Sequence, residues 1–281
     1  MVFPSSLSRR RVLFPPVFLL AAAASVAATV PAVQSARPSA PIRLDGQTDE
    51  WAAARFFDSK SGTEVAFMND GRNLYILLVL KKPESVQSAE ATGMTVLGRP
   101  DGSRKPAKGV LFLNGKIDAD GYIAWRESQG AILTEADKTE LRKTPRHPIS
   151  LAFATDETGS SYGPLRKQTE VFPPDFGVSR NADGAVYEFR IPLAPPDLVP
   201  GGIGGAPGAA IRVTLAWGGT DRNDLSTKGS RETPGSKSGY QSGTGRTWGQ
   251  EFLDSFDTMS SPSQGSKKFS FAVDVTLADE R

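Results

Sequence analysis

The sequence predicts an all-β fold, an antiparallel β-sandwich with one short helix and long loops rich in glycine and serine. Three segments alternate strictly between apolar and polar residues: VYEFRI (186–191), IRVTLAW (211–217) and FSFAVDVTL (269–277). A period of two is typical of strands that have one buried and one solvated face. Glycine and proline are also frequent, at 28 and 21 of the 281 residues, as expected for many turns between short strands.

Residues 1–36 are predicted to be a secretory signal peptide, so the chain is expected to be periplasmic or secreted. Three arginines (9–11) precede an apolar segment at about 12–30, which small residues follow. SRRRVLF (8–14) resembles a twin-arginine export signal, and the general secretory route stays open. Pro15 and Pro16 interrupt the apolar segment, which favours cleavage over a permanent membrane span. The sequence allows cleavage after Ala28, Ala32, Ser35 or Ala36.

Composition excludes several classes of function. Without residues 1–36 the chain has 30 basic residues, the 33 of the full sequence less three arginines, against 31 acidic ones. A nearly neutral mature protein has no basic field for nucleic acid or anionic lipid. The chain contains no cysteine, which excludes disulfides, thiolate metal sites and cysteine nucleophiles. Its single histidine, His147, excludes the common zinc sites rich in histidine.

The strand pattern also predicts which side chains are buried. In 186–191 the apolar residues share the buried face, while Glu188 and Arg190 take the solvated face. Phe271 is expected inside and Ser270 outside. NLYILLVL (73–80) is apolar on both faces, which favours a central strand covered on both sides. Further short strands are predicted at 64–68, 94–98, 109–114, 122–126 and 149–154.

One segment has the features of a helix, and two have those of long loops. In LTEADKTELRK (133–143), Thr134 can cap the first turn and Asp137 lies three residues later. Residues 195–208 and the Gly/Ser/Thr-rich residues 218–250 are predicted loops, the second either disordered or a binding loop. With no linker between separate cores, residues 37–281 are predicted to form one domain.

Three motifs, in order, resemble the family nine carbohydrate-binding modules and the wider set of DOMON-like β-sandwiches. They are IRLDGQTDEW (42–51), EVAFMNDGRNLYILLVLKKPES (64–85) and YEFRIPL (187–193). The resemblance implies a jelly-roll-like sandwich that clamps sugar rings between aromatic side chains and holds structural calcium in carboxylate-rich loops. It also implies a binding module that can accompany carbohydrate-degrading enzymes. One family tryptophan has no counterpart, because ATGMTVLG (91–98) stands at that point.

Four aromatic residues are candidates for a polysaccharide or oligosaccharide ligand, since the C–H face of a sugar ring packs on an aromatic ring. Trp248 and Tyr240 lie in the polar loop 218–250, where no apolar periodicity would bury them. Trp125 is expected on the predicted strand 122–126. Trp217 continues the apolar face of its strand, so the alternative to a pocket rim is the core.

Calcium is the metal that the turns could hold, because Asn and Asp oxygens are its preferred ligands. Asn69 and Asp70 lie in NDGRN (69–73), and Asp221 and Asp224 lie in TDRND (220–224). The same residue types also simply form tight turns, so both interpretations stay open. Asp45, Asp49 and Glu50 form a third such group.

The sequence bears on three further classes of function. Catalysis has no G-x-S-x-G, H-E-x-x-H or phosphate-binding motif to support it, so a non-catalytic protein is predicted. A haem-binding, electron-transferring DOMON-like domain would need axial ligands, for which His147 with Met68 or Met94 are the candidates. An envelope adapter that binds a protein partner shares the predicted fold and differs only in its ligand.

Overall fold

A computed structural model describes residues 30–51, 55–58, 62–159, 161–165, 173–181, 184–219, 257–258 and 267–279. Side chains at 161–164, 181 and 257–258 are not part of the description. In these ranges the chain forms two β-sheets, named here the large sheet and the small sheet, and three α-helices. No helix in this part of the chain is long and apolar enough to cross a membrane.

The large sheet has the strand order β1-β13-β11-β5-β6-β7-β8, and β12 pairs with β6. All its strand pairs are antiparallel except β1 with β13, which is parallel. Its strands are β1 (Ala32–Gln34), β5 (Met94–Pro100), β6 (Lys108–Asp118), β7 (Arg146–Asp156), β8 (Ser161–Pro164), β11 (Ala210–Trp217), β12 (Asp257–Thr258) and β13 (Phe269–Thr276).

The small sheet is antiparallel throughout and has the order β2-β3-β4-β10-β9. Its strands are β2 (Phe56–Asp58), β3 (Thr63–Asn69), β4 (Asn73–Leu80), β9 (Asp175–Asn181) and β10 (Gly184–Pro192). The predicted strands at 64–68, 94–98, 109–114 and 149–154 are all present, and β6 and β7 extend further than predicted.

One apolar core lies between the two sheets and makes the fold a β-sandwich. Alternate residues of each sheet meet there, for example Phe67 and Phe189 of the small sheet and Phe112, Val213 and Val273 of the large sheet. The predicted inward faces of β10, β11 and β13 are confirmed. On β4 every residue is buried, since its second face carries Tyr75, Leu77 and Val79 under further apolar cover.

The helices differ in part from the prediction. The predicted helix is confirmed as α3 (Glu135–Arg142), where Thr134 and Asp137 form a reciprocal capping box. The predicted strand 122–126 is wrong, because these residues belong to α2 (Ala119–Ser128). The Asp118 carboxylate accepts a hydrogen bond from the Gly121 N–H at 2.7 Å and starts this helix directly after β6. A third helix, α1 (Pro83–Thr92), follows β4 and was not predicted.

The N-terminal boundary of the fold also differs from the prediction. Residues assigned to the signal peptide include β1, which pairs with β13 at the edge of the large sheet. Ala36 forms an isolated parallel bridge with Met68 on β3 of the small sheet. The structured region therefore begins before residue 37.

Candidate functional site

The tight turn between β3 and β4 is organised by the Asp70 carboxylate. Its Oδ1 accepts hydrogen bonds from the Arg72 N–H at 3.0 Å and the Asn73 N–H at 2.8 Å. Its Oδ2 accepts one from the Tyr75 hydroxyl at 2.7 Å. Gly71, at φ 84°, supplies the left-handed conformation that the turn needs. The carboxylate is thus held rigidly at the end of the small sheet.

A cleft of about 530 Å³ opens beside this turn, and we name it the Asp70 cleft. Residues 38–42, which contain two prolines, form one wall. The other side is formed by the polar side chains of Asp70, Arg72, Asn73, Tyr75 and Arg190. Because the three segments are distant in the sequence, only the folded chain brings these groups together.

The charges in the Asp70 cleft are set by its hydrogen bonds. Burial raises the pKa of Asp70, but the hydrogen bonds from Tyr75, Asn73 and Arg72 outweigh burial and leave the pKa below its ordinary value. Burial and the bond to Asp70 raise the pKa of Tyr75 to about 12. Asp70 is therefore ionised and Tyr75 neutral at physiological pH.

Two arginines add hydrogen-bond donors to the Asp70 cleft. Arg72 is exposed and lies on the turn itself. Arg190, on β10, donates from Nη2 to the Pro173 carbonyl and to Asp175 Oδ2, both at 3.3 Å. A carboxylate, a phenol, an amide and two guanidinium groups thus surround one concave space. Such a set can both donate and accept hydrogen bonds from neighbouring hydroxyl groups of a ligand.

The predicted solvated position of Glu188 is wrong, because its side chain is fully buried on the outer face of the small sheet. The turn 45–51 covers this face and supplies two donors, the Gly46 N–H at 2.5 Å from Oε2 and the Trp51 indole N–H at 2.7 Å from Oε1. Trp51 is itself fully buried against Met68, Tyr75 and Leu77. Within the motif IRLDGQTDEW (42–51), Gly46 and Trp51 therefore have a structural role, since both are hydrogen-bonded to the buried carboxylate of Glu188.

Two of the four residues predicted to bind calcium, Asn69 and Asp70, have protein partners. Asn69 is buried, and its Oδ1 accepts hydrogen bonds from the Ser35 hydroxyl and, at 2.8 Å, from the Ala278 N–H. Asp70 accepts the three bonds described above. The tight-turn alternative accounts for the backbone bonds of Asp70, whereas Asn69 binds segments that are distant in the sequence. Across the described residues no group of three or more His, Asp or Glu side chains is arranged to hold a metal ion. Asp221 and Asp224 lie outside those residues.

Two of the four predicted aromatic contacts have described positions. Trp217 is 3% exposed, stacks on Phe269 at 5.5 Å and donates its indole N–H to the Ser85 hydroxyl at 3.0 Å. Trp217 therefore lies in the core and not at the rim of a pocket. Trp125 is half-buried on α2, where its ring stacks on Tyr122 at 5.7 Å. Trp248 and Tyr240 lie outside the described residues.

The candidate haem ligands lie in different layers. His147 is on the outer side of the large sheet, where its ring stacks on Tyr122 at 4.4 Å and its Nε2 is 2.9 Å from the Leu141 carbonyl. Met68 packs on the outer face of the small sheet, and Met94 is buried in the core between the sheets. A β-sheet therefore separates His147 from either methionine, and these pairs cannot ligate one iron.

A second, smaller cavity of about 190 Å³ lies between α1, β6 and β9. Its lining is mainly apolar and includes Met94, Phe112, Phe176 and Tyr187, with the ion pair of Arg180 and Glu90 among the residues around it. Its volume is below the roughly 300–1,000 Å³ of small-ligand sites, so it is too small to enclose a sugar unit with its hydroxyl groups. The Asp70 cleft is chemically the better site for a polar ligand.

Sequence reasoning singled out Asp70 as a metal ligand but missed Tyr75, Arg72 and Arg190 as its companions. The pattern around Tyr75 indicates only a central strand, and the alternation around Arg190 indicates only a solvated position. The available signal was the spacing of Asp70 and Tyr75, which places a phenol beside the turn at the end of a hairpin. Nothing local indicated that residues 38–42 would complete the cleft.

No family model and no curated protein matches the chain. Among solved structures, it is similar to a family 9 carbohydrate-binding module from Caldicellulosiruptor kristjanssonii in complex with cellotriose. That match has 12% identity and a TM-score of 0.30 and covers 88% of this chain and 95% of the other. A family 9 carbohydrate-binding module from the same organism in complex with glucose matches with 11% identity and a TM-score of 0.30, over 89% of this chain and 97% of the other.

Proposed function

We propose that this chain is an exported, non-catalytic carbohydrate-binding protein and that the Asp70 cleft holds the glycan. The observation that carries the proposal is the convergence of Asp70, Tyr75, Asn73 and two arginines on one concave space of about 530 Å³. Small-ligand sites have volumes of roughly 300–1,000 Å³ and a few convergent polar groups. The sequence motifs that resemble carbohydrate-binding modules support the same ligand class.

The rigidity of the Asp70 cleft suits recognition of hydroxyl groups. Asp70 accepts three short hydrogen bonds within the protein, and the Asn73 side-chain amide lies 3.5 Å from both of its oxygens. A ligand hydroxyl that replaces the long Asn73 contact at Oδ2 would give this oxygen a closer donor. Because the orientation of Asp70 is set before the ligand arrives, little conformational entropy is lost on binding. Pro38 and Pro41 form a stiff apolar wall against which the C–H groups of a sugar ring can pack.

The same groups favour binding over hydrolysis. Glycoside hydrolysis generally requires two carboxyl groups, one of them a proton donor with a raised pKa. Among the described residues that line the Asp70 cleft, Asp70 alone has a carboxyl group, and the pKa of that group is lowered. Export to the periplasm or beyond, which the arginines 9–11 and the apolar segment at about 12–30 favour, would place the protein where polysaccharides occur.

Replacing Arg72 with alanine is expected to weaken glycan binding about 10- to 100-fold, because a hydrogen bond from a charged donor contributes about 1.5–3 kcal/mol. The melting temperature should stay unchanged, since Arg72 is exposed. Isothermal titration against a panel of mono- and oligosaccharides measures the effect. Arg104→Ala, at an exposed position outside the Asp70 cleft, is the matched control and should bind like the wild type.

Equal glycan affinities of the Arg72 and Arg104 variants would show that the glycan does not bind in the Asp70 cleft. Failure of the wild type to bind any sugar in a broad panel would instead favour the protein-partner alternative. Tyr75→Phe adds a finer probe, because it removes a hydroxyl that touches Asp70 while the aromatic ring stays in place.

The loop 218–250 is proposed to present Trp248 and Tyr240 as a second sugar-binding surface. Trp217, where the loop begins, lies beyond the end of β4, and the Asp70 turn lies at the start of β4. Trp248→Ala should weaken binding by about 1–3 kcal/mol through lost stacking area and leave the melting temperature nearly unchanged. Trp217→Ala should do the reverse and lower stability by about 3–5 kcal/mol, since Trp217 is buried in the core. Titrations and thermal melts of both variants test this. Unfolding of the Trp248 variant would mean that the loop is structural.

A further inference from the structure

The first described residues of the chain connect the two sheets. The Pro31 carbonyl accepts a hydrogen bond from the Asp274 N–H at 2.9 Å, and the Ser35 N–H donates to the Thr276 carbonyl at 2.9 Å. Between them Val33 pairs with Val275 and packs against the core. This segment, residues 31–36, is named here the N-terminal clasp.

The end of the N-terminal clasp is fastened to the small sheet. The Ala36 N–H donates to the Phe67 carbonyl at 2.9 Å, and the Ala36 carbonyl accepts from the Asn69 N–H at 3.0 Å. Ser35 is 3% exposed, and its hydroxyl donates to Asn69 Oδ1 and accepts from the Ala278 N–H at 2.9 Å. Six residues therefore tie together β13, β3 and the segment after β13.

The wall of the Asp70 cleft is the direct continuation of the N-terminal clasp. Residues 38–42 begin two positions after Ala36, and their path is set by the bridge between Ala36 and Met68. Without the clasp this wall would have a free chain end close to it. The buried amide of Asn69 would also lose its Ser35 partner.

From these contacts we infer that the signal peptide is cleaved after Ala28, so that the mature chain begins at Thr29 and keeps the whole clasp. The inference rests on the export proposed above. Cleavage after Ser35 or Ala36 would remove all of β1 together with the bonds of Ser35. Cleavage after Ala32 would remove the Pro31 carbonyl and place a charged amino group inside β1. Of the four cleavage positions that the sequence allows, only cleavage after Ala28 leaves every one of these bonds intact.

The full chain, expressed with export in a bacterium and recovered from outside the cytoplasm, tests the inference by intact mass and N-terminal sequencing. A chain that begins at Thr29 supports it. A start at Val33, Ala36 or Arg37 overturns it and leaves export standing. A chain that keeps Met1 and stays in the cytoplasm overturns both the inference and the proposed export.

Thermal melts provide a second measurement that does not depend on export. A chain of residues 37–281 should melt about 10 °C below a chain of residues 29–281, because several hydrogen bonds and the contact of Val33 with the core are lost. Within the longer chain, Ser35→Ala should lower the melting temperature by a few degrees, roughly 2–8 °C. Gln34→Ala, exposed on the same strand, should leave it unchanged. Equal melting of the two chains would overturn the role of the clasp.

Discussion

Replacing Glu188 with alanine is expected to lower the free energy of unfolding by about 3–5 kcal/mol. The change leaves two buried donors, the Gly46 N–H and the Trp51 indole N–H, without an acceptor. Each such donor costs about 1–3 kcal/mol, and the vacated volume adds to the loss. Urea denaturation measures the effect. Asp49→Ala is the matched control, because Asp49 is exposed in the same turn, and it should change stability by less than about 0.5 kcal/mol.

Glu188→Gln separates the charge from the shape. Burial raises the pKa of Glu188, and the bonds from Gly46 and Trp51 only partly oppose it. The folded state therefore still binds a proton at pH values where the unfolded chain has released it. The resulting stability is complete below the ordinary glutamate pKa of about 4.3 and is lost as the pH rises through the raised pKa.

The expected result is a decline in wild-type stability with rising pH that is smaller in the Glu188→Gln variant. Urea melts of both proteins over a pH series from about 4 upward measure this difference. The glutamine variant should also be more stable than Glu188→Ala, because its amide oxygen can still accept one of the two bonds. Identical pH profiles for the wild type and Glu188→Gln would mean that this carboxyl group does not couple to folding.

Val273→Asp is expected to destabilise the protein by about 3–5 kcal/mol, because it buries an unpaired carboxylate in the core between the sheets. Val273 is fully buried near the middle of β13, whereas Phe271 on the same face is only half-buried against the core. The valine is therefore the sharper test of the strand's orientation.

Ser270→Asp is the control for that experiment. Ser270 lies three residues earlier on β13 and is exposed, so the same aspartate should change stability by less than about 0.5 kcal/mol. Chemical denaturation of both variants, followed by circular dichroism, gives the comparison. Comparable damage at the two positions would contradict the strand orientation described here.

The strands and their inward faces could be predicted because the signal is local. Alternation within 186–191, 211–217 and 269–277 depends on the geometry of one strand, in which successive side chains point to opposite faces. Helix α2 was not predicted, because aromatic residues such as Tyr122 and Trp125 favour a strand. Their spacing of three residues also fits a short helix, as the structure shows. The Asp118 cap that starts this helix was overlooked.

By itself the sequence determined that the chain is a β-sandwich, which segments of it are strands, and which of their residues face the core. These properties follow from the periodicity of neighbouring residues. Only the tertiary structure decided that Glu188 is buried, because its two hydrogen-bond donors come from residues 46 and 51. It also decided the composition of the Asp70 cleft, whose walls come from residues 38–42, 70–75 and 190. A polar residue on a strand's outer face is solvated unless another segment covers it. That cover is a long-range contact, and no pattern within the strand can reveal it.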